Sequence, residues 1–277
     1  MAKHDPRNQA IYRTDRQIAG VGLLTAAFST LVFAPHVHEE LVIAITEQGA
    51  GRCVTRGVSA VGTPQTVMVF NPGEPHEGGV AGAQGWHYRS LYVGAGLLEP
   101  ARDRLFGRRI TLPYFRDSVV SDPDLAALVV RAHQALELRE ARLIRETLLL
   151  GALAGLFGRH GNPAPPQSRP GRERRPIRKV VSLMRDAPAH DWSLAELADT
   201  AGMSPFHFCR AFRRETGLTP HLYLTQIRLN LARDALARGA GLADAALAAG
   251  FYDQSHLTRH FKRSYGITPG RYVAGLG

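Results

Sequence analysis

The segment SHLTRHFKRSYGITP, residues 255–269, repeats an earlier segment, FHFCRAFRRETGLTP, residues 206–220. The two are 49 positions apart and identical at seven of 15 positions. A short Ala-rich stretch that ends in Gly precedes each copy, at 194–202 and at 242–250. Each copy therefore predicts a helix, a turn and a second helix, so the C-terminal part is expected to be all-helical with two helix-turn-helix motifs.

Start signals and apolar spacing support these helices. Ser193 with Glu196 three residues later forms the pattern of a capping box, and Ser204 followed by Pro205 marks the next helix start. Apolar residues four apart predict one buried face in each copy. With that face buried, positions 206, 209, 210 and 213 form an outward stripe, as do 255, 258, 259 and 262.

Both stripes suit a DNA major groove. Groups near the helix start can reach base edges there, and later cations can meet phosphates. Residues 220–239 predict one helix of about 28 Å between the copies, comparable to the roughly 34 Å between equivalent groove faces. A solvent-exposed helix is often basic without binding DNA, and such motifs also mediate protein contacts, but the duplication favours DNA.

The charge distribution agrees with a nucleic-acid partner. The 277 residues carry a net charge of +10. From residue 169 onward, 17 Lys and Arg stand against 9 Asp and Glu, whereas residues 1–168 hold 17 against 15. An Arg-rich proteome would also give a basic chain, yet the excess lies in the part with the repeat.

The chain before the repeat changes character twice. Short apolar runs punctuated by Gly and Pro over residues 10–120 predict a small antiparallel barrel or sandwich. Residues 122–157 predict two helices with a turn near 139–141, and the Pro-, Gly- and Arg-rich residues 158–176 predict a linker. We expect an α+β multidomain chain: a β-barrel over 1–121, a helical pair over 122–157, the linker, and a helical domain over 177–277.

The C-terminal sequence resembles the DNA-binding region of the AraC/XylS family of bacterial transcription regulators. The motifs that carry the resemblance are AGMS (201–204), HFCRAF (207–212), GFYDQSH (250–256) and GITP (266–269). Together with the stripes, the resemblance implies these DNA-contacting residues: Phe206, Cys209, Arg210, Arg213, Arg214, Gln254, Ser255, Thr258, Arg259, Lys262 and Arg263. Phe206 and Cys209 are not the polar residues that usually recognise bases, and they offer only apolar contact, for example to thymine methyl groups.

The N-terminal sequence resembles the cupin-like ligand-sensing barrel of the same family. PHVHEE (35–40), the turn at Gly49 and Gly51, NPGEPHEGG (71–79) and the segment 86–89 occur in the expected order. The resemblance implies an antiparallel barrel around a pocket for one small molecule. Candidate inward ligand-binding residues are His36, His38, Arg52, His76, Trp86 and Arg89, and the two arginines favour an acidic effector.

The three histidines leave a second hypothesis open. His36, His38 and His76, with Glu39 or Glu40, resemble the metal-ligand set of cupin barrels. Val42 stands where that set normally has its glutamate. We therefore expect a barrel that kept the motif without an ion, hence no cofactor and no metal; the alternative is a metal-dependent cupin enzyme with a DNA-tethering domain.

The function expected from these features is that of a sequence-specific DNA-binding transcription regulator controlled by a small-molecule ligand, not an enzyme. A non-specific architectural DNA binder would explain neither the barrel nor the distinct stripes. Expected partners are double-stranded promoter DNA, the effector, RNA polymerase if the protein is an activator, and a second protomer. Candidate pairing residues, which could instead pack on their own barrel, are Leu125, Leu128, Leu136, Leu143, Leu148 and Leu149.

The remaining expectations concern location. The N-terminal sequence is charged and no stretch is long and apolar enough for a bilayer, so we expect no membrane association and a cytoplasmic protein. Cys53 and Cys209 fall in different predicted domains, which argues against a disulfide. Nothing around Cys209 in sequence indicates a redox role.

Overall fold

The computed structural model describes residues 8–106, 112–162 and 174–276. The chain divides into two compact units, Met1–Pro165 with Ala274–Gly277, and Pro166–Val273. The first unit contains the strands and three helices, and the second is helical among its described residues. The expected α+β organisation is confirmed. Most of the predicted linker, residues 163–173, lies outside the described residues.

Among the described residues, ten strands form two antiparallel sheets. They are β1 (Asn8–Thr14), β2 (Val21–Phe28), β3 (Val32–His36), β4 (Leu41–Gly49), β5 (Gly51–Thr55), β6 (Val58–Gly62), β7 (Thr66–Phe70), β8 (His76–Val80), β9 (Trp86–Val93) and β10 (Val119–Ser121). The orders are β1-β2-β9-β4-β7-β10 and β3-β8-β5-β6. Over the described ranges these are two separate sheets and not one closed ring, so the expected barrel is an open sandwich.

Alternation along the larger sheet creates two buried faces. Leu23, Ile43, Val67 and Leu91 share one hydrophobic cluster with the helices of this unit. Residues at the alternate positions, such as Tyr88 and Trp86 on β9, point to the other face. Because both faces are buried, the central strands read as nearly continuous apolar runs and not as alternating ones.

In the part of the N-terminal unit that the structure describes, three helices accompany the strands: α1 (Ala95–Phe106), α2 (Pro123–Glu137) and α3 (Arg142–His160). The predicted pair α2 and α3 is confirmed, and the Asp122 side chain caps α2 by accepting from the backbone N–H of Leu125. The helix α3 runs three residues past its expected end. The helix α1 was not expected, because its Pro100 and sparse apolar pattern do not indicate a helix.

The leucines proposed for dimerisation serve mainly this unit's own core. Leu125, Leu136 and Leu149 are buried in the cluster between the larger sheet and the helices. Leu128 and Leu148 are half-buried. Leu143 alone of the six is exposed, at 75%. The stripe therefore packs on its own sheet, as amphipathic helices usually do.

Over residues 174–276, the C-terminal part has seven helices: α4 (Arg174–Asp186), α5 (Leu194–Thr200), α6 (Pro205–Thr216), α7 (Pro220–Ala237), α8 (Leu242–Ala248), α9 (Gln254–Tyr265) and α10 (Pro269–Ala274). The pairs α5–α6 and α8–α9 are the two predicted copies. The fully buried Phe208, Phe212 and Phe261 anchor α6 and α9. Among the described residues, no helix has the length and apolar character to cross a bilayer.

Candidate nucleic-acid interface and interior site

The two repeated helices correspond residue by residue. α6 and α9 each have 12 residues, and their bounds differ by the same 49 positions as the sequence repeat. The Ser204 and Asp253 side chains accept from backbone N–H groups at the two helix starts. Gly217 and Gly266 end the helices with φ of 77° and 74°, a conformation that only glycine adopts at low cost.

The outward stripes lie on the surface as predicted. Phe206, Arg210, Arg213, Gln254, Ser255, Arg259 and Lys262 are exposed, as are Arg214 and Arg263, while Cys209 and Thr258 are half-buried. Phe206 is 74% exposed, and the Arg210 guanidinium lies 5.8 Å from its ring centroid. The first helix thus presents an aromatic ring and a cation next to each other.

Helix α7 joins the two copies through hydrogen bonds and an aromatic contact. On one side the Tyr223 ring meets Phe212 of α6 edge to face, at 5.5 Å between centroids. On the other side Gln226 donates to the Ser264 hydroxyl at 3.2 Å, and the Tyr265 hydroxyl donates to Asn230 at 3.0 Å. The 18 residues of α7 span about 27 Å. This helix fixes the spacing between α6 and α9 within the unit.

The capping box predicted for α5 is present. The Ser193 backbone N–H donates to Glu196 at 2.8 Å, and the Glu196 backbone N–H donates to the Ser193 hydroxyl at 3.2 Å. The hydrogen bonds from Ser193 hold the pKa of the Glu196 carboxyl below its usual value. This box orients the first helix of the first copy before the turn that leads into α6.

Inside the sandwich, three predicted histidines come together. His36 ends β3, His38 follows it, and His76 begins β8. Their rings are buried, with centroids 4.4 to 5.2 Å apart. Burial lowers the pKa of His36 to about 4, and burial with the neighbouring His36 lowers the pKa of His76 well below its usual value. Both rings are neutral at pH 7.

Aromatic side chains from both sheets surround this cluster. The Phe70 ring stacks on His76 at 4.1 Å, and Tyr92 meets His38 edge to face at 5.3 Å. Phe28, Phe33 and Tyr88 continue the lining toward Trp86. Sequence reasoning did not select these residues, although the alternating positions of those on β2, β7 and β9 could have indicated an inward face.

Trp86 lies in the interior, as predicted. Its indole N–H donates to the Thr46 hydroxyl at 3.0 Å. The ring covers Gly51, where a Cβ would overlap the indole, so the glycine turn noted in the sequence makes room for Trp86. The indole and the three histidines therefore belong to one interior surface.

The two predicted arginines do not reach that interior. Arg52 is exposed, because it alternates with the buried Gly51 and Cys53 on β5. Arg89 lies on the helix-facing side of β9, opposite Trp86, where it pairs with Glu47 at 2.6 Å and with Glu137 of α2. Both were expected to point inward, and that expectation is wrong because strand alternation places them on the outer faces.

Two cavities lie outside the sandwich interior. One of about 290 Å³ is lined by Arg13, Arg16, Arg139 and Arg145 together with Asp15 and Glu137. In it the buried Arg145 pairs with Asp15 and donates to Gln17. A second, of about 430 Å³, lies between α1 and α3 and is lined by both apolar and polar side chains. Neither is lined by the predicted inward residues.

The helical unit carries two capped helices with exposed stripes, and the other unit is a β-sandwich with a lined interior. This combination defines a DNA-binding regulator with an N-terminal unit of the sensor type. The AraC-like ligand binding domain family matches residues 19–153, and a helix-turn-helix domain family matches residues 197–275. The HTH-type transcriptional regulator YbfI of Bacillus subtilis is 30% identical over 225 residues, 81% of each chain. The chain belongs to the AraC family of transcription regulators.

Other relatives match parts of the chain or its fold. MtrA of Neisseria gonorrhoeae, an HTH-type transcriptional regulator, is 32% identical over 97 residues, 35% of this chain and 31% of the relative. A ToxT structure from Vibrio cholerae with an unsaturated fatty acid bound has a TM-score of 0.57 at 13% identity. The alignment covers 100% of this chain and 98% of the ToxT chain. That likeness shows the shared two-domain fold.

Proposed function

We propose that α6 and α9 bind promoter DNA through their outward stripes, and that a small molecule bound by the N-terminal unit controls this binding. The observation that carries the proposal is the match between two 12-residue helices with equivalent caps and exposed basic stripes. One solvated basic helix is common, but two copies held by one bridging helix suit two successive major-groove faces.

The residues divide by position between base and phosphate contacts. In α9, Gln254 and Ser255 lie at the helix start and Arg259 lies in its middle, where base edges are reached. Lys262 and Arg263 in the last turn meet phosphate. In α6, the exposed Phe206 offers an apolar surface to thymine methyl groups, and the adjacent Arg210 offers hydrogen-bond donors.

A matched pair of substitutions tests this division. Arg259→Ala is expected to weaken binding at one base position by about 1–3 kcal/mol and to relax the preference there. Lys262→Ala is expected to weaken binding to all DNA sequences alike. It should also reduce the salt dependence of binding by the equivalent of about one phosphate contact. Both side chains are exposed, so neither change should disturb the fold.

The measurement is a fluorescence-anisotropy titration of each variant against one operator duplex and against duplexes that differ from it at single positions. Circular dichroism of each variant confirms an intact helical unit. An Arg259→Ala loss that is equal on the operator and on scrambled DNA would refute its role in base recognition.

The effector site is proposed within the sandwich, at His36, His38, His76 and Trp86. Buried imidazoles and aromatic rings line this surface, so it suits a small molecule with an apolar body and few polar groups. Arg52 is exposed and Arg89 is paired with two carboxylates, so neither arginine supports an acidic effector at this site. The protein is proposed to act without catalysis, which the names of its relatives as regulators support.

We also propose the protein's partners and its location. Family membership supports a cytoplasmic regulator that contacts RNA polymerase where it activates transcription. A homodimer would form through the exposed apolar residues near the α2–α3 turn, Leu138, Leu143 and Ile144. Sedimentation of the wild type and of Leu143→Ser tests that surface. The variant should be monomeric, and the wild type dimeric, only if Leu143 lies in the dimer contact.

A further inference from the structure

The three interior histidines form a compact group of potential ligand atoms. Each offers one ring nitrogen, and the three nitrogens lie within 4.8 Å of one another. The residues are only 4%, 5% and 7% exposed, for His36, His38 and His76 respectively. Two strands of the smaller sheet and the chain after β3 place them there, and β3 and β8 pair at His36 and His76.

Backbone carbonyls fix which nitrogen of two rings carries the proton. His36 Nδ1 is 2.7 Å from the Ala34 carbonyl oxygen, and His76 Nδ1 is 3.0 Å from the Glu74 carbonyl oxygen. Because a carbonyl oxygen only accepts, each Nδ1 carries the hydrogen and each Nε2 carries a lone pair. This is the arrangement that orients metal-bound histidines in proteins.

The lone pairs meet in one small space. His36 Nε2 lies 3.2 Å from His38 Nε2, and the three rings face each other beneath Phe70 and Tyr92. One N–H from His38 can satisfy one of the two lone pairs but not both. A cation shared by the three nitrogens satisfies the whole group at once.

The ligand types indicate the class of cation. Three imidazole nitrogens suit zinc, iron(II), cobalt(II) or nickel(II), whereas calcium and magnesium require oxygen ligands. We propose that His36, His38 and His76 bind one divalent transition-metal cation inside the N-terminal sandwich. Three protein ligands leave at least one coordination position for water or for an oxygen of an effector. Metal binding here is independent of the proposed DNA contacts.

The test uses full-length protein without a histidine tag, stripped with a chelator and titrated with cobalt(II). We expect one cobalt per chain, a visible absorption spectrum typical of nitrogen ligation, and displacement by zinc. X-ray absorption of the cobalt-loaded wild type should count three imidazoles. A spectrum with fewer than three imidazoles, or binding below one equivalent by folded protein, would overturn the proposal in favour of a hydrogen-bonded neutral triad.

Matched variants assign the site. His36→Gln and His76→Gln should each bind cobalt at least about 100-fold more weakly, since even partners of metal ligands contribute 10- to 100-fold. The controls are His87→Gln, an exposed position on β9, and His260→Gln, from the histidine pair of α9. Equal affinity in His76→Gln and His87→Gln would contradict the site, and the wild-type spectra decide the question if a variant does not fold.

Discussion

Burial and pairing distinguish single residues that the sequence motifs had grouped together. Arg89 and Trp86 occur in one short segment of β9, yet one side chain pairs with carboxylates beside α2 and the other lies in the sandwich interior. The motif indicated both as pocket residues, because spacing along a strand does not reveal which face is the pocket. The sequence indicated that the three histidines could converge, and they do, although His38 lies just after β3 and not on the strand itself.

Glu137 shows why the Arg89 side chain stays outside the pocket. It accepts from Arg89 and lies 3.1 Å from Arg13. Burial alone would raise the pKa of Glu137, but the hydrogen bond and charge of Arg89 outweigh it and hold the pKa below its usual value. Arg89 also pairs with Glu47, and Glu137 also pairs with Arg13, so these residues connect β1, β9 and α2 as a structural group.

His133 next to this group predicts an acid sensitivity. Burial, followed by the charge of Arg89, lowers the pKa of His133 to about 4, while Glu137 and Glu47 oppose the shift. Because the folded pKa is below the unfolded value of 6.5, the unfolded chain binds the proton first. Stability is therefore fully present above about pH 6.5 and is lost as the pH falls toward 4, by up to about 3 kcal/mol from this group.

Urea unfolding at several pH values measures this effect. Trp86 alone reports the N-terminal unit in a Trp192→Phe background. His133→Gln should flatten the decline in the free energy of unfolding between pH 6.5 and 4, whereas the exposed His87→Gln should leave it unchanged. His36 and His76 contribute with the same sign, so a part of the decline remains. An identical decline with and without His133 would contradict this assignment.

Among the elements, those with local signals were predicted and those without were not. The copies α5–α6 and α8–α9, the capping box and the α2–α3 pair all follow from caps and apolar spacing within a few residues. Helix α4 begins inside the predicted linker, because its first turn is rich in Arg. Its buried residues Ile177, Val180 and Met184 have helical spacing. This spacing was the signal that could have placed the start of the helical domain earlier in the chain.

Matched glycines test how the two recognition helices end. Gly217→Ala and Gly266→Ala should each lower the free energy of unfolding of the C-terminal unit by about 1–2 kcal/mol, because φ near 75° is strained for any residue with a Cβ. Gly270→Ala, at a helical position where an added Cβ contacts nothing within 4 Å, should be neutral. Thermal unfolding by circular dichroism compares the three.

A stable Gly217→Ala or Gly266→Ala protein would show that the left-handed ends are dispensable. If both variants are destabilised as expected, their DNA affinity measured well below the unfolding temperature should remain near the wild-type value, since neither glycine belongs to a DNA-facing stripe. That combination separates the structural role of the helix ends from recognition.

For the whole molecule, composition and patterning predicted the division into a β-rich unit and a basic helical unit, and the family match agrees with it. The closure of the sheets could not be predicted, because a barrel and an open sandwich share the same alternating strands and differ only in long-range pairing. The leucine stripe illustrates the same limit. Its spacing predicted a packed face but not whether the partner was another protomer or the chain's own sheet.

Selection from a random duplex library, followed by anisotropy titration, tests whether this protein reads a DNA sequence with two helices. We expect enrichment of two short motifs about 10 base pairs apart, a preference over scrambled DNA of about a thousandfold or more, and affinity that falls steeply with salt. Equal affinity of the full-length protein for selected and scrambled duplexes at every salt concentration would contradict it.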